Sequence, residues 1–122
     1  MLKVYQEVSP DGYAICRPVG ELDAFTISDF RQALADMSTS SCLVIDLSAV
    51  PFVDSAGLGA LIGGIRRTRE LGGRVALACS RPALVRLLCS TGFDRVVTVS
   101  DTVAAAAAIL TGEPNDVAAI GA

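Results

Sequence analysis

No histidine occurs among the 122 residues, and lysine occurs once, as Lys3. Without histidine there is no Ser-His-Asp triad and no imidazole general base, and a Ser-Lys dyad would have to draw on a lysine at the far terminus. A P-loop is excluded for want of its lysine. A zinc site would rest on the four cysteines alone, and Cys16, Cys42, Cys79 and Cys89 show no C-x-x-C spacing. They read instead as buried thiols packing as small hydrophobes, three at strands and Cys89 late in a helix. The chain is therefore not expected to be an enzyme, nor to hold a metal or cofactor.

Long apolar runs are also scarce. The longest clean one, Val103 to Leu110, is far short of the roughly 20 residues a membrane span needs, and no signal-peptide h-region opens the chain. The nine arginines are spread out without a basic stripe and the net charge is −3, which argues against nucleic acid as a partner. With 52% hydrophobic and 19% charged residues, the composition is that of one folded domain with a real core. A cytoplasmic location with no membrane partner is expected.

Against these absences stands the run Val53-Asp54-Ser55-Ala56-Gly57-Leu58-Gly59. Upstream, Cys42 to Leu47 is a nearly continuous apolar stretch that reads as a strand buried on both faces. Pro51 prevents the strand from extending far. After Ser55 the period becomes helical, through Leu58, Leu61, Ile62 and Ile65, so Asp54 or Ser55 is the expected N-cap of a helix running to about Leu71. Unpaired N–H groups and the macrodipole make that helix end tolerant of a phosphate.

Serine is a favoured N-cap everywhere, so position alone also suits a structural Ser55. The helix surface separates the two readings. Opposite the apolar face fall Ala56, Gly59, Ala60 and Gly63, where charge is expected on a solvated surface. Each interior glycine costs about 0.8–1 kcal/mol relative to alanine, and Gly57, Gly59, Gly63 and Gly64 crowd one helix. Close approach by a partner's backbone would offset that cost; tight packing inside the domain is the alternative for one or two of them.

The other elements follow from pattern. Leu2 to Val8 and Tyr13 to Val19 form a hairpin across Ser9-Pro10-Asp11-Gly12. Thr26 caps a helix that turns Ile27, Phe30, Leu34 and Met37 inward. Arg74 to Cys79 is a strand, Pro82 opens a helix ended by Gly92, Val96 to Val99 is a short last strand, and Asp101 or Thr102 caps a helix to Leu110. The expected fold class is α/β, a single domain with a mixed sheet opened by an antiparallel hairpin and about four helices packed on it. Residues 1–112 make up the domain, and 113–122 a flexible tail. A dinucleotide-binding reading of Gly57, Gly59 and Gly63 fails on spacing, on the long preceding loop and on the missing ribose-binding acid.

Asp54-Ser55-Ala56-Gly57-Leu58-Gly59, the earlier Gly20-Glu21-Leu22-Asp23 and the order of elements resemble bacterial anti-sigma factor antagonists of the STAS domain class, over residues 1 to 111. The resemblance implies a STAS fold and a partner-switching role. In that family the serine after the motif aspartate is phosphorylated by an anti-sigma factor that is itself a kinase, which carries over to Ser55, and a phosphoserine phosphatase reverses the modification. Asp23 and Asp54 match the family's acidic positions beside that serine. These acids together with the small residues of the helix, namely Asp23, Asp54, Ala56, Gly57, Gly59, Ala60 and Gly63, are expected to meet the partner. One departure is Ala56, where many members carry a second hydroxyl residue. Two alternatives remain: a STAS module serving another signalling or transporter partner, and a small nucleotide-binding protein.

Overall fold

The computed structural model describes residues 2–111. Along the chain run β1 (Lys3–Val8), β2 (Ala14–Val19), α1 (Ile27–Asp36), β3 (Cys42–Asp46), α2 (Ser55–Glu70), β4 (Arg74–Ala78), α3 (Pro82–Ser90), α4 (Phe93–Val96), β5 (Thr98–Ser100) and α5 (Val103–Thr111). The strands form one sheet in sequential order, β1-β2-β3-β4-β5, antiparallel at β1–β2 and parallel thereafter. The α/β architecture opened by a hairpin is thus the one the pattern of the chain predicts. The tail expected at 113–122 lies outside the described residues.

Sequential order and crossover handedness together decide where the helices go. Each parallel step passes through a helix, and right-handed crossings that advance in one direction place all their helices on the same face. That face carries the main core. Cys16, Leu43, Ile45 and Leu77 of the sheet meet Phe30 and Leu34 of α1, Leu61 and Ile65 of α2, and Leu88 of α3. The opposite face is covered by α5, whose Ala106, Ala107 and Leu110 pack on Val44, Ala76 and Ala78. Where α5 does not reach, the Arg17 guanidinium joins Glu7 at 3.1 Å to Asp46 at 3.2 Å, tying β1, β2 and β3 together.

Two expectations need correction. Five helices lie among the described residues, where about four were expected, and the correction falls on the last strand: Val96, expected to begin it, ends the single turn α4, and β5 starts at Thr98. Gly92, at φ +83°, reverses the chain after α3, and burial of Phe93 pulls the next turn against the core. The cysteines are not uniformly buried either. Cys16 and Cys79 are, and burial pushes the Cys16 thiol up to about 12 and raises that of Cys79. Cys42 is half-buried and Cys89 is exposed on the outer side of α3.

Candidate functional site

The two chains leaving β2 and β3 stay paired after their ladder ends. The Gly20 N–H donates to Ala49 O at 3.1 Å, Leu22 N–H to Phe52 O at 2.9 Å, and Asp54 N–H to Leu22 O at 3.0 Å, around a parallel bridge between Leu22 and Val53. Gly20 enters this pairing at φ +124°, a backbone conformation that only glycine adopts without strain. Two loops beyond the carboxyl ends of neighbouring parallel strands are thereby joined into one surface.

Asp54 holds the centre of that surface. It is the N-cap of α2, with Oδ1 accepting from Gly57 N–H at 3.0 Å, while Oδ2 accepts from Ala24 N–H at 3.3 Å. Ser55 follows as the first residue of the helix and is exposed. Its hydroxyl therefore stands where the helix end presents N–H groups and partial positive charge. Asp23 serves its own turn: Oδ1 accepts from the N–H groups of Phe25 at 2.9 Å and Thr26 at 3.1 Å. Thr26 sits at the N-cap position of α1 but makes no side-chain cap, contrary to expectation; its hydroxyl donates instead to Glu21 O at 2.8 Å. Asp54 thus shapes the start of α2 next to Ser55, and Asp23 the turn that Asp54 fastens through Ala24.

This cross-linked turn displays a side chain that the sequence pattern did not single out. Phe25 is 96% exposed, and Phe52, on the other loop, is 51% exposed. The Ala24–Asp54 hydrogen bond sets Phe25 and Ser55 one residue beyond either end of the same contact. A large aromatic exposed to water on a hydrogen-bonded turn is an apolar feature open to contact.

The small-residue face of α2 divides in two. Gly57 is buried, and a Cβ there would lie 2.7 Å from both Leu22 O and Val53 Cγ1, so glycine is what lets the helix start against the paired loops. Ala60 is 5% exposed and packs in the core, and a Cβ on Gly64 would meet Leu34 of α1 at 2.6 Å. Gly57 and Ala60, expected on the partner face, therefore face the domain interior. Gly59 and Gly63 are exposed with no atom within 4 Å of an added Cβ, and Ala56 is half-buried. The open face narrows to these three. The large apolar residues predict a face centred on Leu58, Leu61, Ile62 and Ile65, yet Leu58 and Ile62 lie at the margins of the contact, and Gly57, Ala60, Leu61, Ile65 and Thr68 form its centre.

The sequence matches the STAS domain family over residues 4–106. An anti-sigma F factor antagonist of Paenibacillus polymyxa is 30% identical over 93 residues, covering 74% of this chain and 80% of that protein. The chain belongs to the STAS-domain anti-sigma factor antagonists. An anti-sigma-B factor antagonist of Listeria monocytogenes is likewise 30% identical, over 67% of this chain and 74% of its own length. The crystal structure of an anti-sigma factor antagonist from Mycobacterium paratuberculosis superposes with a TM-score of 0.82 at 28% identity, covering 91% of this chain and 95% of that one. No helix among the described residues is long and apolar enough to cross a membrane, and no cluster of three or more His, Cys, Asp or Glu side chains among them is placed to hold a metal ion.

Proposed function

We propose that this antagonist is a phosphorylation-controlled binding module that acts on a kinase-type anti-sigma factor in the cytoplasm. Unmodified, it docks through the paired loops and the open face of α2, with Phe25 as apolar anchor, and displaces the sigma factor held there. The partner kinase then transfers the γ-phosphoryl group of ATP to Ser55. Ser55 Oγ forms the new P–O bond, the bond to the leaving ADP oxygen breaks, and the hydroxyl proton passes to a base on the kinase. A phosphoserine phosphatase resets the module. The chain supplies no catalytic group of its own.

The observation that carries this reading is the placement of Ser55, exposed at the first position of α2 beside a carboxylate already committed as N-cap. Phosphate brings about −1.5 to −2 charges. The helix end returns about 0.3–1 kcal/mol of favourable interaction, which lets the fold keep the modified residue. Within an interface, repulsion from Asp54 and loss of hydration outweigh that gain, so the modified module lets go. Intact mass after incubation with the cognate anti-sigma factor and ATP tests the site: one added phosphate is expected, and none on Ser55→Ala. A phosphate gained by the alanine variant refutes the assignment.

A further inference from the structure

Ser55, Gly59, Gly63 and Arg67 follow one another at intervals of four, so they form a single row along α2. Gly59, Gly63 and Arg67 of this row line a groove of about 360 Å³ between α1 and α2, to which α1 contributes Arg31 and Leu34, and Ser55 lies one helical turn before Gly59. At Gly59 and Gly63 that side of the groove is bare backbone with open space beside it, since a Cβ built on either meets nothing within 4 Å. Arg31 and Arg67 are exposed on opposite walls, and among the described residues neither has a carboxylate within ion-pair distance. In a chain of net charge −3, two uncompensated guanidinium groups facing one groove form a local site of the opposite sign.

We propose that the α1–α2 groove seats an acidic segment of the partner protein, its carboxylates paired with Arg31 and Arg67 and its backbone lying against Gly59 and Gly63. Guanidinium forks match carboxylates two bonds at a time, and the missing Cβ atoms leave room for a second backbone. The overall negative charge disfavours nucleic acid in the same place. Because Ser55 lies one helical turn before Gly59, a segment seated in the groove would end close to the hydroxyl; the identity of the partner, though not the groove chemistry, rests on the function proposed above.

Amide NMR titration with hexaglutamate tests the groove directly. Saturable shifts are expected at Gly59 and Gly63, absent with hexalysine and absent in the R31E/R67E double variant, whose unperturbed spectrum elsewhere reports its fold. No shifts at these glycines, or equal shifts in the double variant, overturn the proposal. With the cognate anti-sigma factor, R31E/R67E should raise KM for phosphorylation of Ser55 at least tenfold with little change in kcat, and an unchanged KM also overturns it. If the unmodified parent is never phosphorylated, the function proposed for Ser55 fails, while the hexaglutamate titration still decides the groove.

Discussion

Ala24 donates its N–H to Asp54 Oδ2 at 3.3 Å, so the residue that caps α2 also fastens the loop leading into α1. One carboxylate thus couples the helix bearing Ser55 to the turn bearing Phe25. Replacing Asp54 with alanine removes both contacts. Loss of an N-cap costs about 0.5–2 kcal/mol, and a drop of that size is expected in urea unfolding, with the largest rise in amide exchange at Ala24 and Gly57. Exchange unchanged at Ala24 would show that the loop is held without Asp54.

Phe25 should separate binding from stability. At 96% exposure it has almost no packing to lose, so Phe25→Ser is expected to fold within about 0.5 kcal/mol of the parent. As an interface anchor it should weaken binding to the anti-sigma factor roughly tenfold or more. Calorimetric titration beside a thermal melt reads both; unaltered affinity would remove Phe25 from the interface.

The glycines of α2 should respond oppositely to the same change. Gly57→Ala sets a methyl group 2.7 Å from a backbone oxygen that no rotamer change can move, and a loss of about 1–3 kcal/mol is expected. Gly63→Ala meets open space and should gain up to about 1 kcal/mol from helix propensity. Gly63→Glu should also fold at least as well as the parent while losing affinity for the anti-sigma factor. Equal melting shifts for the Gly57 and Gly63 alanine variants would contradict the assignment of interior and open faces.

This division shows where sequence reading ends. The hairpin, the buried β3 and the onset of α2 at Ser55 were legible because each rests on local signals: turn residues, an unbroken β-branched run, and an N-cap followed by a change of period. The rotation of α2 was not. Periodicity weighs large apolar side chains, whereas this helix approaches Leu22, Val53 and Leu34 through residues chosen for being small. Phe25 escaped notice for the converse reason, since an aromatic is assigned to the core unless a structure shows it in water. Short α4 depends on burial of Phe93, a tertiary contact with no local signature.

Thiol chemistry should be sharply graded. Thiolate is the reactive species, so Cys16, held protonated by burial with its ionisation raised to about 12, should resist iodoacetamide in the native state, as should Cys79, while exposed Cys89 reacts first. The same shift ties stability to pH. Below about 9 both folded and unfolded thiols keep their protons and the stability is whole; above it the unfolded thiol ionises first, so stability falls by at most about 1.4 kcal/mol per pH step of one until the folded thiol ionises near 12. Peptide mapping of alkylated protein and unfolding at pH 8 and pH 10 check the two halves; rapid native labelling of Cys16 would contradict both.

The central claim is that a phosphate on Ser55 switches the partner off. Its most direct test is the affinity of the cognate anti-sigma factor for three forms of the chain, namely unmodified, phosphorylated at Ser55, and Ser55→Ala. Binding of the unmodified and alanine forms should be comparable, and the phosphorylated form should bind roughly a hundredfold more weakly, a difference of about 3 kcal/mol. Equal affinity of the phosphorylated and unmodified forms would contradict the switch.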